Sequence, residues 1–101
     1  MGRGVLSNPY KGVRGMRYQF MKDHMPDELR RMDEADETGA YLRDVERRYL
    51  ARIGQLYPIL LEECGATEEL KRRDYGEFMR AMSRAEARTS EIAFHEVIEA
   101  L

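Results

Sequence analysis

The sequence predicts an all-α fold: an antiparallel hairpin of two long helices, closed on its exposed side by short N-terminal helices. Three observations carry that expectation. Apolar residues recur at helical spacing over two long stretches, 40–64 and 75–99. About ten residues separate the stretches, so their apolar faces must meet each other. No segment alternates convincingly with period two, so no sheet is expected.

Residues 1–15 contain Gly2, Gly4, Pro9, Gly12 and Gly15 and read as a flexible basic arm, leaving 16–101 as one helical domain. A first short helix is expected over 16–24, with Met16, Phe20 and His24 in line. Pro26 interrupts it and opens a second helix near 26–35, because proline is tolerated in a first turn. Thr38-Gly39 reads as a turn. The third helix carries Leu42, Val45, Tyr49, Ile53, Leu56, Tyr57, Leu60 and Cys64 on one stripe, with Arg43, Asp44, Arg47 and Gln55 opposite. Asp44 and Arg48 stand i,i+4 in the favourable order. Pro58 falls on the polar side and Gly54 one turn earlier, so a continuous helix kinked near 54–58 is expected. Gly65 ends it.

Thr67 then caps a short helix near 68–73, supported by Glu68–Arg72 and Glu69–Arg73. Asp74 and Glu77 have capping-box spacing and open the last helix. Its stripe is Phe78, Met79, Met82, Ala85, Thr89, Ile92, Ala93 and Val97.

Composition narrows the function classes. The chain has 101 residues, enough for one small domain. Val, Ile, Leu and Phe total 20, a thin core that six Tyr and seven Met enlarge. No run approaches the roughly 20 apolar residues of a membrane helix. The start, MGRGVLSNPYKG, lacks the apolar stretch of a secretory signal. One cysteine, Cys64, forms no internal disulfide, so the expected compartment is the cytoplasm. Charge is uneven: residues 1–22 carry +5 and residues 23–101 carry −7.

Catalytic chemistry finds no foothold. His95-Glu96 begins like a zinc-peptidase motif but lacks the second histidine at i+4. The glycines of the arm have no GK[ST] and no preceding strand. Cys64 sits at a helix C-terminus, where the dipole disfavours a thiolate. Nucleophile, base and orienter cannot be assembled, so the expectation is a non-enzyme with no cofactor and no metal. Ala35, Gly39 and Val45 have helix-turn-helix spacing, but Glu34 and Thr38 occupy core places and nearby acids repel phosphate. Glu96 falls on the last apolar stripe: it pairs with an arginine from elsewhere, or the stripe drifts and leaves it in solvent.

Two surfaces remain. The arm interleaves Arg3, Lys11, Arg14, Arg17 and Lys22 with Tyr10, Tyr18 and Phe20, a pattern that suits nucleic-acid phosphates and bases. The acidic body offers Glu68, Glu69 and Asp74 to a protein partner. A protein partner is the leading expectation, DNA through the arm the alternative, and a homodimer joined by exposed Met and Tyr a third.

GATEELKRRD at 65–74, FMRAM at 78–82 and EIAFHEVIEAL at 91–101 resemble the TnpV family of small transposon-encoded proteins. YQFMKDHMP at 18–26 and TGAYLRDVERR at 38–48 are similar in order and spacing, so the likeness runs from about Arg14 onward. Phe78 stands where a tryptophan is expected in the family, and Pro58 is a second departure. The resemblance implies an all-helical accessory protein of a bacterial mobile element, with an excisionase-like role suggested and no catalytic residues assigned. Two working classes follow: an excisionase-like DNA-binding factor, and an anti-CRISPR-type inhibitor of a host nuclease carried by a transposon or phage.

Overall fold

The computed structural model describes residues 8–101, all-helical with no strand among them. The elements are α1 (Gly12–His24), α2 (Pro26–Glu34), α3 (Thr38–Glu63), α4 (Glu68–Arg73) and α5 (Tyr75–Ala93). A π-helical turn, Phe94–Ile98, continues α5.

The long hairpin is α3 against α5. Where α3 should bury its stripe it does: Leu42, Val45, Leu56 and Leu60 are buried, with Tyr49, Ile53 and Tyr57 packed beside them. The helix runs unbroken through the exposed Pro58. On α5 the seam is an i,i+4 ladder of small residues, Ala81, Ala85, Thr89 and Ala93. Small side chains let the two backbones approach closely, and each is at most 2% exposed. The expected stripe is therefore rotated: Ala81 lies inside, whereas Met79 is 40% exposed.

The π turn explains the other displacement. A π turn closes i to i+5, seen as the Glu99 N–H donating to the Phe94 carbonyl at 3.0 Å. The extra residue moves the inward position from Val97 to Ile98, which is fully buried.

Both reversals end in Schellman motifs. After α3, Gly65 takes φ +78°, its N–H donating to Glu62 and that of Ala66 to Leu61. After α2, Asp36 takes φ +59°, and Glu37 and Asp36 donate to Met32 and Asp33 in the same pattern. The turn expected at Thr38-Gly39 is thus at Asp36, and Thr38-Gly39 instead opens α3. Thr67 and Asp74 cap as expected, accepting from the Leu70 and Glu77 N–H groups at 3.2 and 3.1 Å. The return leg of the capping box is absent, since the Asp74 N–H donates to Leu70 and Glu77 pairs with Arg80.

The N-terminal segment departs most from expectation. Helix α1 begins at Gly12, four residues early, and its inward face is Gly15, Arg17 and Met21 rather than Met16 and Phe20. Residues from Asn8 fold back over its first turn. Asn8 Nδ2 donates to the Gly15 carbonyl at 3.0 Å, and the Tyr10 ring lies 5.2 Å from that of Tyr18. A Cβ on Gly15 would stand 2.6 Å from the Tyr10 carbonyl oxygen, so glycine permits this close approach. Residues 1–7 of the expected flexible arm lie outside the described residues.

Arg17 locks the arrangement. Only 4% exposed, it donates from Nη1 to the carbonyls of Ile98 and Ala100 at 2.7 and 2.6 Å, and from Nε to Tyr41 Oη at 3.0 Å. It thereby caps the last carbonyls of the chain's final turn with a cation, the charge that a helix C-terminus favours. Met21, Leu29 and Met32 form a second small core beside it, flanked by Tyr18, Met25 and Tyr41.

Helix α1 packs on α3 and the π turn, α2 packs on α1 and α3, and α4 rests on α5 alone. The far half of the hairpin projects as a single helical layer. The molecule measures 56 × 28 × 18 Å, and its radius of gyration of 17.7 Å exceeds the ~13 Å of a compact domain this size.

Replacing Arg17 with Ala leaves two carbonyls and a tyrosine hydroxyl without their donor. The expected loss is about 3 kcal/mol in urea denaturation, and Arg17→Lys recovers only part of it because one ammonium cannot reproduce the fork.

Candidate functional site

Of the expected DNA-binding residues, those described do not form one basic surface. Arg3 lies outside the described residues. Arg17 is withdrawn from any phosphate by its burial, because its guanidinium is committed to backbone carbonyls. Arg14 donates from Nε to Glu46 Oε1 at 2.9 Å. Lys22 is half-buried in the last turn of α1, and Lys11 is exposed at the start of that helix.

The expected acidic surface also changes character. Asp74 is occupied as the cap of α5. Glu68 and Glu69 are exposed in the first turn of α4, but neither forms an ion pair with Arg72 or Arg73 among the described residues. Asp44 does hold Arg48, at 3.0 Å, and also Arg47.

A larger feature lies at the base of the molecule, where α1, α3, α5 and the π turn converge. A groove of about 730 Å³ is lined by Met16, Tyr49, Ile92 and Phe94, with Arg88, Glu91, His95, Glu96 and Glu99 along it. Sequence logic explains each side. Tyr49 and Ile92 belong to the facing stripes of α3 and α5. Met16 points outward because Arg17 and Gly15 take the inward face of α1. The π turn redirects the last helical turn, bringing Glu96 and Glu99 alongside, and such turns recur at functional sites.

Electrostatics sharpen the groove. Glu96 receives two hydrogen bonds from Arg52, from Nε at 2.6 Å and from Nη2 at 3.2 Å. That fork holds the Glu96 carboxyl below its ordinary pKa and the Arg52 guanidinium above its own. The pairing reading of Glu96 is the one realised, at a half-exposed position. Glu91 pairs with Arg88 at 2.7 Å, and Glu99 stands 3.3 Å from His95 Nδ1. The result is an apolar floor with a rim of three carboxylates, each already beside a base, suited to an apolar side chain with polar flanks.

A smaller recess on the hairpin is lined by Ile53, Tyr57, Glu86, Thr89 and Ser90. Tyr57 Oη donates to Glu86 Oε2 at 3.4 Å; its pKa is raised by burial first and by the Glu86 charge second. Thr89 Oγ1 is buried without a hydrogen-bond partner. No group of three or more His, Cys, Asp or Glu among the described residues is placed to hold a metal ion. Nor is any helix among them long and apolar enough to cross a membrane. Cys64 is half-buried at the end of α3.

Sequence reasoning missed the groove because its position depends on two structural facts, the π turn and the outward rotation of Met16. It also treated Arg72 and Arg73 only as helix partners and gave Lys71 no role, although three consecutive bases stood in plain view. Compared with family models, with curated proteins and with solved structures, the chain matches none of them.

Two outcomes follow. Thr89→Val removes an unpartnered buried hydroxyl at constant shape and branching, and is expected to raise stability by up to about 1 kcal/mol in thermal unfolding. For Glu96 the folded pKa is depressed, so its contribution is complete above the unfolded carboxylate value and disappears as pH falls through the folded one. Melting curves recorded below the ordinary carboxylate range are therefore expected to show a smaller acid loss in Glu96→Gln than in the wild type.

Proposed function

We propose that this chain is a non-enzymatic accessory protein of a mobile genetic element and acts by binding another protein. The resemblance of residues 14–101 to TnpV proteins supports the genetic setting. The observation that carries the binding mode is the apolar groove, rimmed by paired charges, between α1, α3 and the end of α5. Its floor takes an apolar anchor, and the mixed rim of Arg88, Glu91, His95, Glu96 and Glu99 takes polar groups of that partner. A recombinase of the element is the partner expected for an excisionase-like accessory role. A host nuclease is the partner expected for an inhibitor.

The test uses purified full-length protein with the recombinase of its own element, followed by light scattering on the eluted complex. Met16→Lys and Glu99→Lys change exposed positions, so helicity and melting temperature should hold. Each is expected to weaken the complex at least about tenfold, the scale of losing one anchor or one desolvated charge. Wild-type affinity in both variants would contradict the groove as the contact surface.

A further inference from the structure

Each long helix carries a second row of residues that the facing helix leaves at least partly open. On α3 the row is Arg43, Leu50, Gly54, Tyr57 and Leu61, whose spacing keeps all five within about 60° around the helix. Leu50 is 59% exposed. A Cβ on Gly54 would meet nothing within 4 Å, so the surface above it is open. On α5 the row is Met79, Met82 and Glu86, again at helical spacing, with Met79 40% exposed. Tyr57 Oη donates to Glu86 Oε2 at 3.4 Å, and both line one small recess with Ile53. The two rows therefore share one face of the hairpin.

Few charges stand on this face, and most are already paired. Arg47 is held by Asp44, and Glu46 by Arg14. Two are not: among the described residues Arg43 has no carboxylate partner and Glu86 has no base. Arg84 and Arg88, two residues either side of Glu86, point about 160° away from it. Glu62 and Glu63 lie about 100° and 160° round α3 from Leu61 and face elsewhere. The placement of the two unpaired charges is symmetric. Arg43 and Tyr57, the residue that holds Glu86, stand seven residues to either side of Leu50, about 10 Å in each direction. Leu50 is also the midpoint of α3, Thr38–Glu63.

We propose that this face binds a second copy of the chain, with the two α3 helices antiparallel about a twofold axis at Leu50. Arg43 of each copy then stands level with Tyr57 and Glu86 of the other, and symmetry forms both Arg43–Glu86 pairs at once. The Tyr57 ring beside Glu86 offers the guanidinium an aromatic surface as well as a carboxylate. An axis at the midpoint of α3 overlaps the two helices over their whole length, about 39 Å. With a neighbouring helix beside each, the face is about 20 Å wide and offers roughly 800 Å² per copy, the area of a standard stable interface. Stacking two hairpins in this way gives the single helical layer the second layer that covers an open apolar stripe. The inference does not rest on the protein-binding groove.

The test is sedimentation equilibrium of the full chain from about 10 μM to about 1 mM, after circular dichroism confirms helicity. The mass is expected to rise from 11.9 kDa toward twice that value. Leu50→Lys sets two ammonium groups against each other on the axis and is expected to stay at 11.9 kDa throughout. Ile59→Lys, 54% exposed on the opposite side of α3, is expected to associate as the wild type does. Arg43→Glu and Glu86→Arg are each expected to weaken association at least about tenfold, and the two together to restore it. A wild type that stays monomeric would overturn the proposal, as would association of Leu50→Lys or failure of the double change to restore the dimer. A monomeric wild type whose complex with the element's recombinase is lost in Leu50→Lys would overturn it too, and would assign the face to that protein.

Discussion

A single buried guanidinium holds the two ends of the described chain together. Arg17 reaches from α1 to the carbonyls of Ile98 and Ala100, more than 80 residues away in sequence, and to the hydroxyl of Tyr41 on α3. Its hydrogen bonds to oxygen go to neutral acceptors, so the partial charges of a helix end do the work that a carboxylate would do elsewhere. Phe20 and Tyr41 present ring surface to the same cation at 5.3 and 5.9 Å. Burying a cation is costly, and this cost is met only while every element around it is in place. The placement of α1 thereby fixes Met16 on the groove, and the capped π turn fixes Glu96 and Glu99 beside it.

The hairpin itself answers to a different constraint. Its two helices meet along Ala81, Ala85, Thr89 and Ala93, a narrow seam that brings backbones close but buries little side-chain surface. Larger residues are left outside: Leu50 and Ile59 on α3, Tyr75 and Met79 on α5, each 40–59% exposed. A single helical layer of this kind gives up core volume for accessible surface on both flanks.

Much of the fold was legible because it follows from local rules. Periodicity gave α3 and its buried Leu42, Val45, Leu56 and Leu60; Gly65, Thr67 and Asp74 marked the ends of elements through their known backbone roles. What escaped was non-local. Nothing in Phe94–Ile98 announces a π turn, yet it shifts the inward position from Val97 to Ile98. Alanine is too weakly apolar to outweigh Met79 in a pattern count, yet close helix approach selects Ala81. Asp36 in the left-handed region is an allowed but uncommon choice, so the Thr38-Gly39 pair drew the turn two residues too late. Arg17 looked like one more base of a cationic arm because its acceptors lie at the other end of the sequence. The groove inherits the same limits, since Met16, Tyr49, Ile92 and Glu96 meet only after those choices are made.

The most direct measurement is the arginine side-chain region of a ¹H–¹⁵N spectrum of the intact protein, recorded near neutral pH. One Nε–H should exchange slowly with water and show cross-relaxation to the Tyr41 ring and to Ile98, and it should vanish in Arg17→Lys. Uniformly fast exchange of all arginine Nε–H groups, with the helical backbone intact, would contradict a buried guanidinium clamp at the centre of this structure.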